Sequence, residues 1–301
     1  MGARREPPFA LSVDVEDYFQ VQAFAGRVSR QDWPQYPPRV ERNVERLLDL
    51  FDETGAKATF FVLGWIARRY PTLVRAIAGR GHEVASHGVS HRMLTELSPS
   101  EFRAEAVDSR LLLEDLSGTP VIGFRAPSYS VMRSTLWALE VLRETGYAYD
   151  SSVYPIRGRR YGYPEGPVAP ARIPAGKGDI AEFPLPTVPF GPLRVPVLAG
   201  AYLRLLPSWV SLLATRYHGW RGVPLAVNVH PWEIDPEQPR QYRAPFSARF
   251  RHYLNLGRTE GRLRRLLRNF PWARMDRLFL SDLSGPFPLI TSWTDHRFPS
   301  R

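Results

Sequence analysis

Cysteine is absent from this sequence. Its absence excludes disulfide bonds, a thiolate nucleophile, cysteine-ligated zinc and iron–sulfur clusters, because all of these need the cysteine sulfur. Any bound metal ion must therefore be held by histidine and carboxylate side chains. In other respects the composition is ordinary for a globular protein, with 44% hydrophobic and 23% charged residues. A chain of 301 residues can bury a sizeable core.

Lysine is nearly absent, since it occurs only at Lys57 and Lys177. The formal net charge of +10 therefore comes almost entirely from arginine. Such a surplus can serve contact with nucleic acid, an anionic membrane or an acidic polymer. The arginines are dispersed, however, and the densest stretch is Arg262–Arg268. We interpret the surplus as a solvated surface and expect no nucleic-acid partner.

Long apolar runs are also missing, because no segment reaches the roughly 18 uninterrupted apolar residues of a membrane-spanning helix. The nearest, Val195–Ala214, is broken by Pro196, Arg204 and Pro207. We interpret it as core or groove lining, and peripheral contact with a membrane surface is the alternative. Residues 1–8 carry charge, but no apolar segment of a secretion signal follows them. The expected location is the cytoplasm, including the inner face of its membrane.

Apolar, β-prone stretches alternate with amphipathic helical stretches, which predicts an α/β domain with a parallel sheet. A segment rich in proline and glycine, Tyr154–Arg194, interrupts this alternation and is predicted to be a long loop that rims the site. The predicted strands are Phe9–Val15, Ala58–Leu63, Gly81–Ser86, Val121–Arg125, Tyr147–Ser151 and Leu225–His230. The predicted helices are Val40–Glu53, Ile66–Gly79 with a break near Pro71, Ser98–Leu116, Ser134–Thr145, Leu203–Tyr217 after Pro207, and Arg249–Phe270 as one helix or a pair.

Polar side chains follow four of these predicted strands. In parallel α/β folds, functional sites gather at the C-terminal ends of the strands. We therefore expect these side chains to meet at one site. They are Asp14, Glu16 and Asp17 after the first strand, His87 after the third, Arg125 after the fourth and His230 after the last.

His87 and His91 are separated by three residues, a spacing that lets two imidazoles face one point. This pair alone is weak evidence for a metal site. The acidic cluster at the first strand end strengthens it, because a cation would relieve the mutual repulsion of the carboxylates. Two histidines and one carboxylate would leave an open coordination position for water.

The ordered motifs of this chain resemble those of the polysaccharide deacetylases, the NodB-type carbohydrate esterases. The stretch GHEVASHGVSH, which ends at His91, together with the upstream acidic motif carries most of the specificity. The motifs are DVEDYF from Asp14, ATFFVLGWIA from Ala58, GHEVASHGVSH from Gly81, FRAP from Phe124, YDSS from Tyr149 and VHPWE from Val229. The later stretch, 235–271, resembles the C-terminal extension of a subgroup associated with bacterial exopolysaccharide gene clusters.

The resemblance implies a distorted (β/α) barrel with fewer than eight repeats and metal-dependent removal of N-acetyl groups from a glycan. It predicts a catalytic domain at 1–233 and an extension at 234–301 that packs on the barrel. The implied cofactor is a divalent metal ion. Zinc suits the donor set best, and cobalt, nickel or manganese would also suit it.

For the metal and the attacking water, the resemblance implies that Asp14 is the general base and that His87 and His91 are metal ligands. The third ligand is a carboxylate that follows the base. The sequence departs here from the usual Asp-Asp or Asp-x-Asp pattern. Spacing favours Glu16, which shares a strand face with Asp14, and Asp17 is the alternative.

The other roles follow from the same resemblance. The backbone N–H of Ser128 would hold the oxyanion, and His230 would protonate the leaving amine. Arg125 would keep the base ionised, and Asp150 would orient His230. Two aromatic residues, Tyr129 and Trp232, are candidate platforms for the sugar.

Two other functions are compatible with these residues. The first is hydrolysis of a cyclic amide or another small C–N substrate on the same barrel, which loss of metal ligands would favour. The second is a non-catalytic glycan-binding protein that uses the arginine surplus. Retention of both histidines favours the metal-dependent deacetylase.

Overall fold

A computed structural model describes residues 9–158, 161–191 and 193–280, together with Leu289. The strands are β1 (Phe9–Val15), β2 (Thr59–Val62), β3 (Glu83–Ser86), β4 (Gly123–Phe124), β5 (Tyr149–Asp150), β6 (Ala171–Ala175), β7 (Gly178–Glu182), β8 (Thr187–Phe190), β9 (Leu193–Pro196), β10 (Ala226–Val229) and β11 (Trp272–Ala273). The helices are α1 (Val40–Thr54), α2 (Gly64–Arg69), α3 (Pro71–Gly79), α4 (Pro99–Ser117), α5 (Trp137–Glu144), α6 (Ala201–Leu205), α7 (Ser208–Arg221), α8 (Phe246–Tyr253) and α9 (Leu256–Asn269).

The main sheet has the order β10-β1-β2-β3-β4-β5-β7-β6, and β11 pairs with the beginning of β1. Every neighbouring pair along this path is parallel except β6 and β7, which form an antiparallel pair. All seven residues of β1 are buried. Strands buried on both faces are typical of parallel sheets that are covered by helices. The predicted α/β fold with a parallel sheet is therefore confirmed.

The sheet is strongly curved. Flat neighbouring strands lie about 4.8 Å apart, so β4 in a flat sheet would lie ~14 Å from β1 and still farther from β10. Yet one nitrogen of Arg125, which directly follows β4, lies 2.8 Å from Asp14 on β1 and 2.8 Å from Asn228 on β10. The strands must therefore curve around a common interior, as the predicted distorted barrel requires. At the two ends of this path, single parallel bridges join Asn228 of β10 to Ala199 and Arg172 of β6 to Leu289.

Local sequence signals explain where the longer helices begin and end. Ser98 and Glu101 form a reciprocal capping box at the start of α4. Gly55 ends α1 in the left-handed conformation, with φ of 68°, which glycine adopts at little cost. The predicted break near Pro71 is the junction between α2 and α3. In the described part of the chain, no helix combines the length and the apolarity that are needed to cross a bilayer.

The segment Tyr154–Arg194 is more structured than the sequence suggests. It contains the β6–β7 hairpin, whose second strand extends the main sheet beside β5, and most of a separate β8–β9 hairpin. The prediction of a long loop with short extended pieces, such as Ile180–Phe183, is wrong in that these pieces pair into hairpins. Their strands are short and contain proline, as Pro174 in β6 shows, so the sequence pattern does not reveal the pairing. The predicted helical segment Arg249–Phe270 is two helices, with Asn255 in a left-handed conformation between them.

The division into domains at 233/234 stays a prediction. Residues after this point make many contacts with the barrel, among them the pairing of β11 with β1, the packing of α9 against α1 and the ion pair of Asp235 with Arg39. Positions 281–288 and 290–301 of the predicted extension, like the first eight residues, lie outside the described part of the chain.

Candidate metal centre

Three side chains converge just beyond the C-terminal ends of β1 and β3. Glu16 follows β1, His87 follows β3, and His91 lies in the loop after β3 with a left-handed backbone, φ 55°. One ligand atom from each of them lies within 4.8 Å of the other two, and all three residues are buried. The structure thus brings together the three metal ligands that the sequence suggested.

The donor atoms of this cluster fit a cation. Nδ1 of His87 lies 2.8 Å from the carbonyl of Arg125, which leaves Nε2 free to be a ligand. Oε2 of Glu16 lies 2.7 Å from Nε2 of His91, yet this buried oxygen has no hydrogen-bond partner among the described residues. Burial would raise the pKa of Glu16, but His91 and then the other two histidines lower it to about 2. An ionised, unpartnered oxygen beside two imidazoles is the arrangement expected of a divalent-metal site.

Asp17, the alternative third ligand, points elsewhere. Its Oδ2 accepts hydrogen bonds from the backbone N–H groups of Arg39 and Val40 at 2.7 and 3.0 Å. These are the first N–H groups of α1, which otherwise lack a partner inside the helix. Asp17 therefore caps α1, and Glu16 is the carboxylate that joins the two histidines.

Asp14 lies on β1, two residues before Glu16, which directly follows the end of that strand. Its Oδ1 accepts a hydrogen bond of 2.8 Å from Arg125, and its Oδ2 accepts one of 3.0 Å from Asn228. Burial would raise the pKa of this carboxyl group, but Arg125, His87 and His230 outweigh burial and lower it to about 2. Asp14 is therefore anionic throughout the neutral pH range.

Arg125 is completely buried, and all its donor groups are engaged. Nη1 donates to Ser12, Asp14 and Asn228, Nε donates to the carbonyl of Ser151, and Nη2 donates to the hydroxyl of Ser151. A buried guanidinium is tolerated only when it is paired and hydrogen-bonded in this way. The arginine thus links β1, β5 and β10 across the interior of the barrel.

His230 directly follows β10 and approaches both acidic groups. Its Nε2 lies 3.7 Å from Oδ2 of Asp14 and 3.5 Å from Oε1 of Glu16. Its Nδ1 lies 3.1 Å from Oε2 of Glu233. Burial alone would lower the pKa of His230, but Glu233, Glu16 and Asp14 raise it to about 9. The imidazole is therefore protonated at neutral pH.

Glu233 is itself held by an arginine. Nε of the buried Arg204 donates to Oε1 of Glu233 at 2.6 Å, and Nη1 of Arg204 donates to the backbone carbonyls of Arg251, His252 and Leu254. The pKa of Glu233 falls to about 2, because Arg204 and His230 outweigh its burial. A buried series of three charged groups, Arg204, Glu233 and His230, thus leads to the cluster of Glu16, His87 and His91.

The predicted pairing of Asp150 with His230 is wrong. Asp150 accepts hydrogen bonds from the hydroxyl and the backbone N–H of Ser152 at 2.6 and 3.2 Å, and it lies beside Glu182, whose pKa it raises. The Ser152 hydroxyl in turn accepts a hydrogen bond from the N–H of Ala126. Asp150 therefore supports the turn that follows Arg125. The partner of His230 is Glu233, which the chain places three residues further on through a short helical turn begun by Pro231.

The remaining predicted residues line the same cavity. Ser128 and Tyr129 have left-handed backbones, with φ of 57° and 54°, in the turn that follows Arg125. Such strained positions cluster at functional sites. The Tyr129 hydroxyl donates to Asp14 at 3.4 Å and accepts from Asn228 at 2.5 Å. Trp232 is only 4% exposed, stacks on His252 at 4.2 Å and donates to Glu16 at 3.3 Å. It therefore supports Glu16 and has little free ring face for a sugar.

The cavity has a volume of about 590 Å³. Asp14, Glu16, His87, His91 and His230 line its inner end. Polar groups that converge in one cleft, with pKa values displaced by specific partners, mark a candidate catalytic site.

Sequence reasoning missed three residues of this site: Asn228, Glu233 and Arg204. The signal for Asn228 is an asparagine in a buried strand, two positions before His230 and hence on the same face. The signal for Glu233 is its position three residues after His230, with proline between them. Arg204 gave no signal beyond being a charged residue that interrupts an apolar run.

Comparison with protein families divides the chain into two adjoining segments. Residues 32–149 match the family described as polysaccharide deacetylase. Residues 151–280 match a domain of unknown function, DUF3473. These matches support the polysaccharide deacetylase family. His87, His91 and Arg125 lie in the deacetylase segment, whereas His230 and Glu233 lie in the other.

Curated relatives of this chain carry names of the same kind. The chain is 32% identical over 157 residues to the peptidoglycan deacetylase-like protein FGM2 of Gibberella zeae, an alignment that covers 50% of this chain and 45% of that protein. It is 30% identical over 148 residues to a peptidoglycan deacetylase of Helicobacter pylori, covering 48% of each chain. The chain thus spans less than half the length of these curated relatives.

The fold has a solved counterpart in a Mycobacterium smegmatis protein assigned as a polysaccharide deacetylase. The two chains superimpose with a TM-score of 0.63 at 22% identity, over 97% of this chain and 96% of that one. Nearly the whole fold is therefore shared, including the part matched only by the domain of unknown function.

Proposed function

We propose that this protein is a metal-dependent hydrolase that removes acetyl groups from an N-acetylated glycan. The observation that carries the proposal is the convergence of Glu16, His87 and His91 within 4.8 Å, beside an anionic Asp14 and a protonated His230. Amide hydrolysis at neutral pH needs an activated water, a base and an acid for the leaving amine. The cluster offers a group for each of these tasks.

Glu16, His87 and His91 would hold the divalent ion, which supplies an acidified water and polarises the acetamide carbonyl when it is bound. Zinc is the ion that two imidazoles and a carboxylate suit best. The Arg125 carbonyl fixes the tautomer of His87, and the indole of Trp232 orients Glu16. These contacts hold the ligands in place.

Asp14 is proposed as the general base. Arg125 and Asn228 each hold one oxygen of its carboxylate, so the group is ionised and has a fixed orientation. It lies two residues before Glu16, so the proposed base and the proposed carboxylate ligand come from the same short stretch of chain. Asp14 receives the proton of the attacking water.

His230 is proposed as the general acid. An amine anion is a very poor leaving group, so its nitrogen must be protonated as the C–N bond breaks. Nδ1 of His230 is held by Glu233, which leaves Nε2 directed toward Asp14 and Glu16. The Ser128 N–H is proposed to stabilise the oxyanion, and Tyr129 to contact the sugar at the cavity wall.

The proposed substrate is a bacterial exopolysaccharide or its precursor. The support is the resemblance of residues 235–271 to the extension found in that subgroup, and the match of residues 151–280 to a separate domain family. The relatives named above act on peptidoglycan according to their names, so peptidoglycan oligosaccharides belong in any substrate panel.

The direct test is acetate release from a panel of N-acetylated oligosaccharides by the purified protein, with and without chelator. We expect release that stops with chelator and returns when Zn²⁺ is restored. His91→Ala should lose both metal and turnover while unfolding cooperatively. Absence of acetate release from every glycan by metal-loaded, folded protein would contradict the proposal.

A further inference from the structure

The outer part of the cavity is walled by tyrosines. The ring of Tyr154 packs edge-on against Tyr129, with centroids 5.6 Å apart, and is stacked with Tyr161 at 6.3 Å and an interplanar angle of 10°. Tyr202, at the start of α6, lines the same cavity. Because the Tyr129 hydroxyl contacts Asp14, this wall runs outward from the proposed base.

Tyr154 has a property that packing does not explain. The residue is only 2% exposed, and its buried hydroxyl has no hydrogen-bond partner among the described residues. Burial, with the adjacent hydroxyls of Tyr202 and Tyr161, raises the pKa of Tyr154 well above its usual value, so it remains a neutral donor. An unpartnered buried hydroxyl costs free energy unless something satisfies it. A polar group of a bound molecule in the cavity can do so.

Two arginines line this cavity without a carboxylate partner in the described part of the chain. They are Arg157 and Arg251. Arg251, on α8, uses Nε to donate to the carbonyl of Ser247, one turn earlier. It lies close enough to Tyr202 to oppose the rise in that residue's pKa, which burial and Tyr161 cause. Arg204, by contrast, is neutralised by Glu233.

The cavity therefore carries an unequal charge distribution. Among the described residues that line it, Asp14 and Glu16 are the acidic ones. Both are engaged at the inner end, Asp14 with Arg125 and Glu16 with His91. The outer end keeps the two unpaired guanidinium groups. Guanidinium groups bind carboxylate and phosphate with charge-assisted hydrogen bonds.

We infer that the outer part of this cavity binds an anionic group carried by the glycan, with Arg251 as its main partner and the Tyr154 hydroxyl donating to a neighbouring sugar oxygen. The inference rests on the proposed function for the identity of the ligand as a glycan. The group is an oxyanion attached to a pyranose, either the carboxylate of an acidic sugar or a phosphate. Neutral oligosaccharides bind the tyrosine wall alone and more weakly.

The test compares two pairs of probes by isothermal titration calorimetry on the metal-loaded protein. The first pair is a hyaluronan tetrasaccharide, which carries carboxylates, and N-acetylchitotetraose, which is neutral. The second pair is N-acetylglucosamine 1-phosphate and N-acetylglucosamine. We expect one charged probe to bind about tenfold more tightly than its neutral counterpart, the size of a charge-assisted hydrogen bond. The pair that shows this gain identifies the source of the charge.

Four variants locate the effect. Arg251→Ala should abolish the preference for the charged probe and leave the affinity for the neutral one unchanged, and Arg251→Lys should keep part of it. Arg258 is an exposed arginine on α9 outside the cavity, so Arg258→Ala is the matched control and should leave the affinity for every probe unchanged. Tyr154→Phe should lower the affinity for charged and neutral probes alike, by about threefold or more. It should not destabilise the fold, because the hydroxyl that it removes has no partner among the described residues.

Equal affinity of the wild-type protein for the charged and neutral members of both pairs would overturn the inference, as would an equal loss for both members in Arg251→Ala. Acetate release is measured in parallel. Release from neutral oligosaccharides without any charge preference refutes the anionic site and leaves the proposed function intact. A preference that depends on Arg251, without acetate release from these probes or from any glycan of the panel, supports the site and refutes the deacetylase proposal.

Discussion

The carboxylate of Asp14 and the guanidinium of Arg125 meet at 2.8 Å where both side chains are almost completely buried. The two residues come from strands that are not neighbours in the sheet, so this contact exists only because the sheet curves. Removal of one partner from a buried ion pair leaves an uncompensated charge and costs about 3–5 kcal/mol. The ionisation of the proposed base, Asp14, therefore depends on the curvature of the sheet that brings Arg125 to it.

Asp14→Asn should abolish turnover while metal binding is retained. The amide keeps nearly the same shape but cannot accept the proton, so we expect kcat to fall by about 10²–10⁴-fold. Metal content by mass spectrometry and kcat on the best glycan would check this. Asp108→Asn, an exposed aspartate on α4, is the control and should behave like the wild type. An active Asp14→Asn variant would exclude this residue as the base.

Glu16→Ala and Asp17→Ala should have opposite effects. We expect Glu16→Ala to lose the metal and turnover with a small change in stability, because it removes a ligand. Asp17→Ala should retain the metal and lose about 1 kcal/mol of folding free energy or more, because it removes the cap of α1. Metal analysis and urea denaturation of both variants would separate the two roles. The reverse result would make Asp17 the ligand.

Glu233→Gln should impair catalysis far more than Asp150→Asn. The first change removes the carboxylate that orients His230, and we expect kcat to fall about tenfold or more with metal content unchanged. The second acts beside Glu182, whose pKa is raised well above its usual value by burial and by Asp150, and it leaves the Glu233 contact of His230 intact. Steady-state kinetics of both variants, with exposed Glu41→Gln as control, would check this. A greater loss in Asp150→Asn would restore it as the partner of His230.

Glu83→Gln should change how stability depends on pH. Burial and the nearby Asp276 raise the pKa of Glu83 to about 7. A group whose pKa is raised in the folded state stabilises that state at low pH, and the contribution is lost as the pH rises through its folded pKa. Between pH 5 and pH 8 the wild type should therefore lose on the order of 2 kcal/mol relative to Glu83→Gln. Urea denaturation of both proteins at the two pH values measures this, and parallel pH dependences would refute it.

Much of the site could be predicted because it depends on local rules. The C-terminal ends of strands in a parallel sheet bring Asp14, Glu16, His87, Arg125 and His230 to one edge. Because side chains alternate along an extended chain, Glu16, two positions after Asp14, is favoured over Asp17 as the third metal ligand. The helix boundaries at Ser98 and Gly55 follow from capping, which is also local.

What could not be predicted depends on contacts between distant parts of the chain. Arg204 and Glu233 lie 29 positions apart and meet only after α6 folds against the turn that follows β10. The wrong pairing of Asp150 with His230 has the same origin. The sequence does not show which residues lie beside β5, and in the structure Asp150 contacts Ser152. The β6–β7 hairpin was missed because its short strands are stabilised by pairing with β5 rather than by their own pattern.

The pairing of β1 with β10, which sets Ser12 opposite Asn228, has a consequence for how such chains can recombine. The proposed acid, His230, and the two residues that hold it, Glu233 and Arg204, all lie in residues 204–233. The proposed base and the proposed metal ligands lie before residue 92. An exchange of the later segment between relatives would move a whole proton-delivery unit at once. The exchanged segment would work in its new host only if β10 paired with β1 in the same register, with Ser12 opposite Asn228, because that register also places Asn228 beside Asp14.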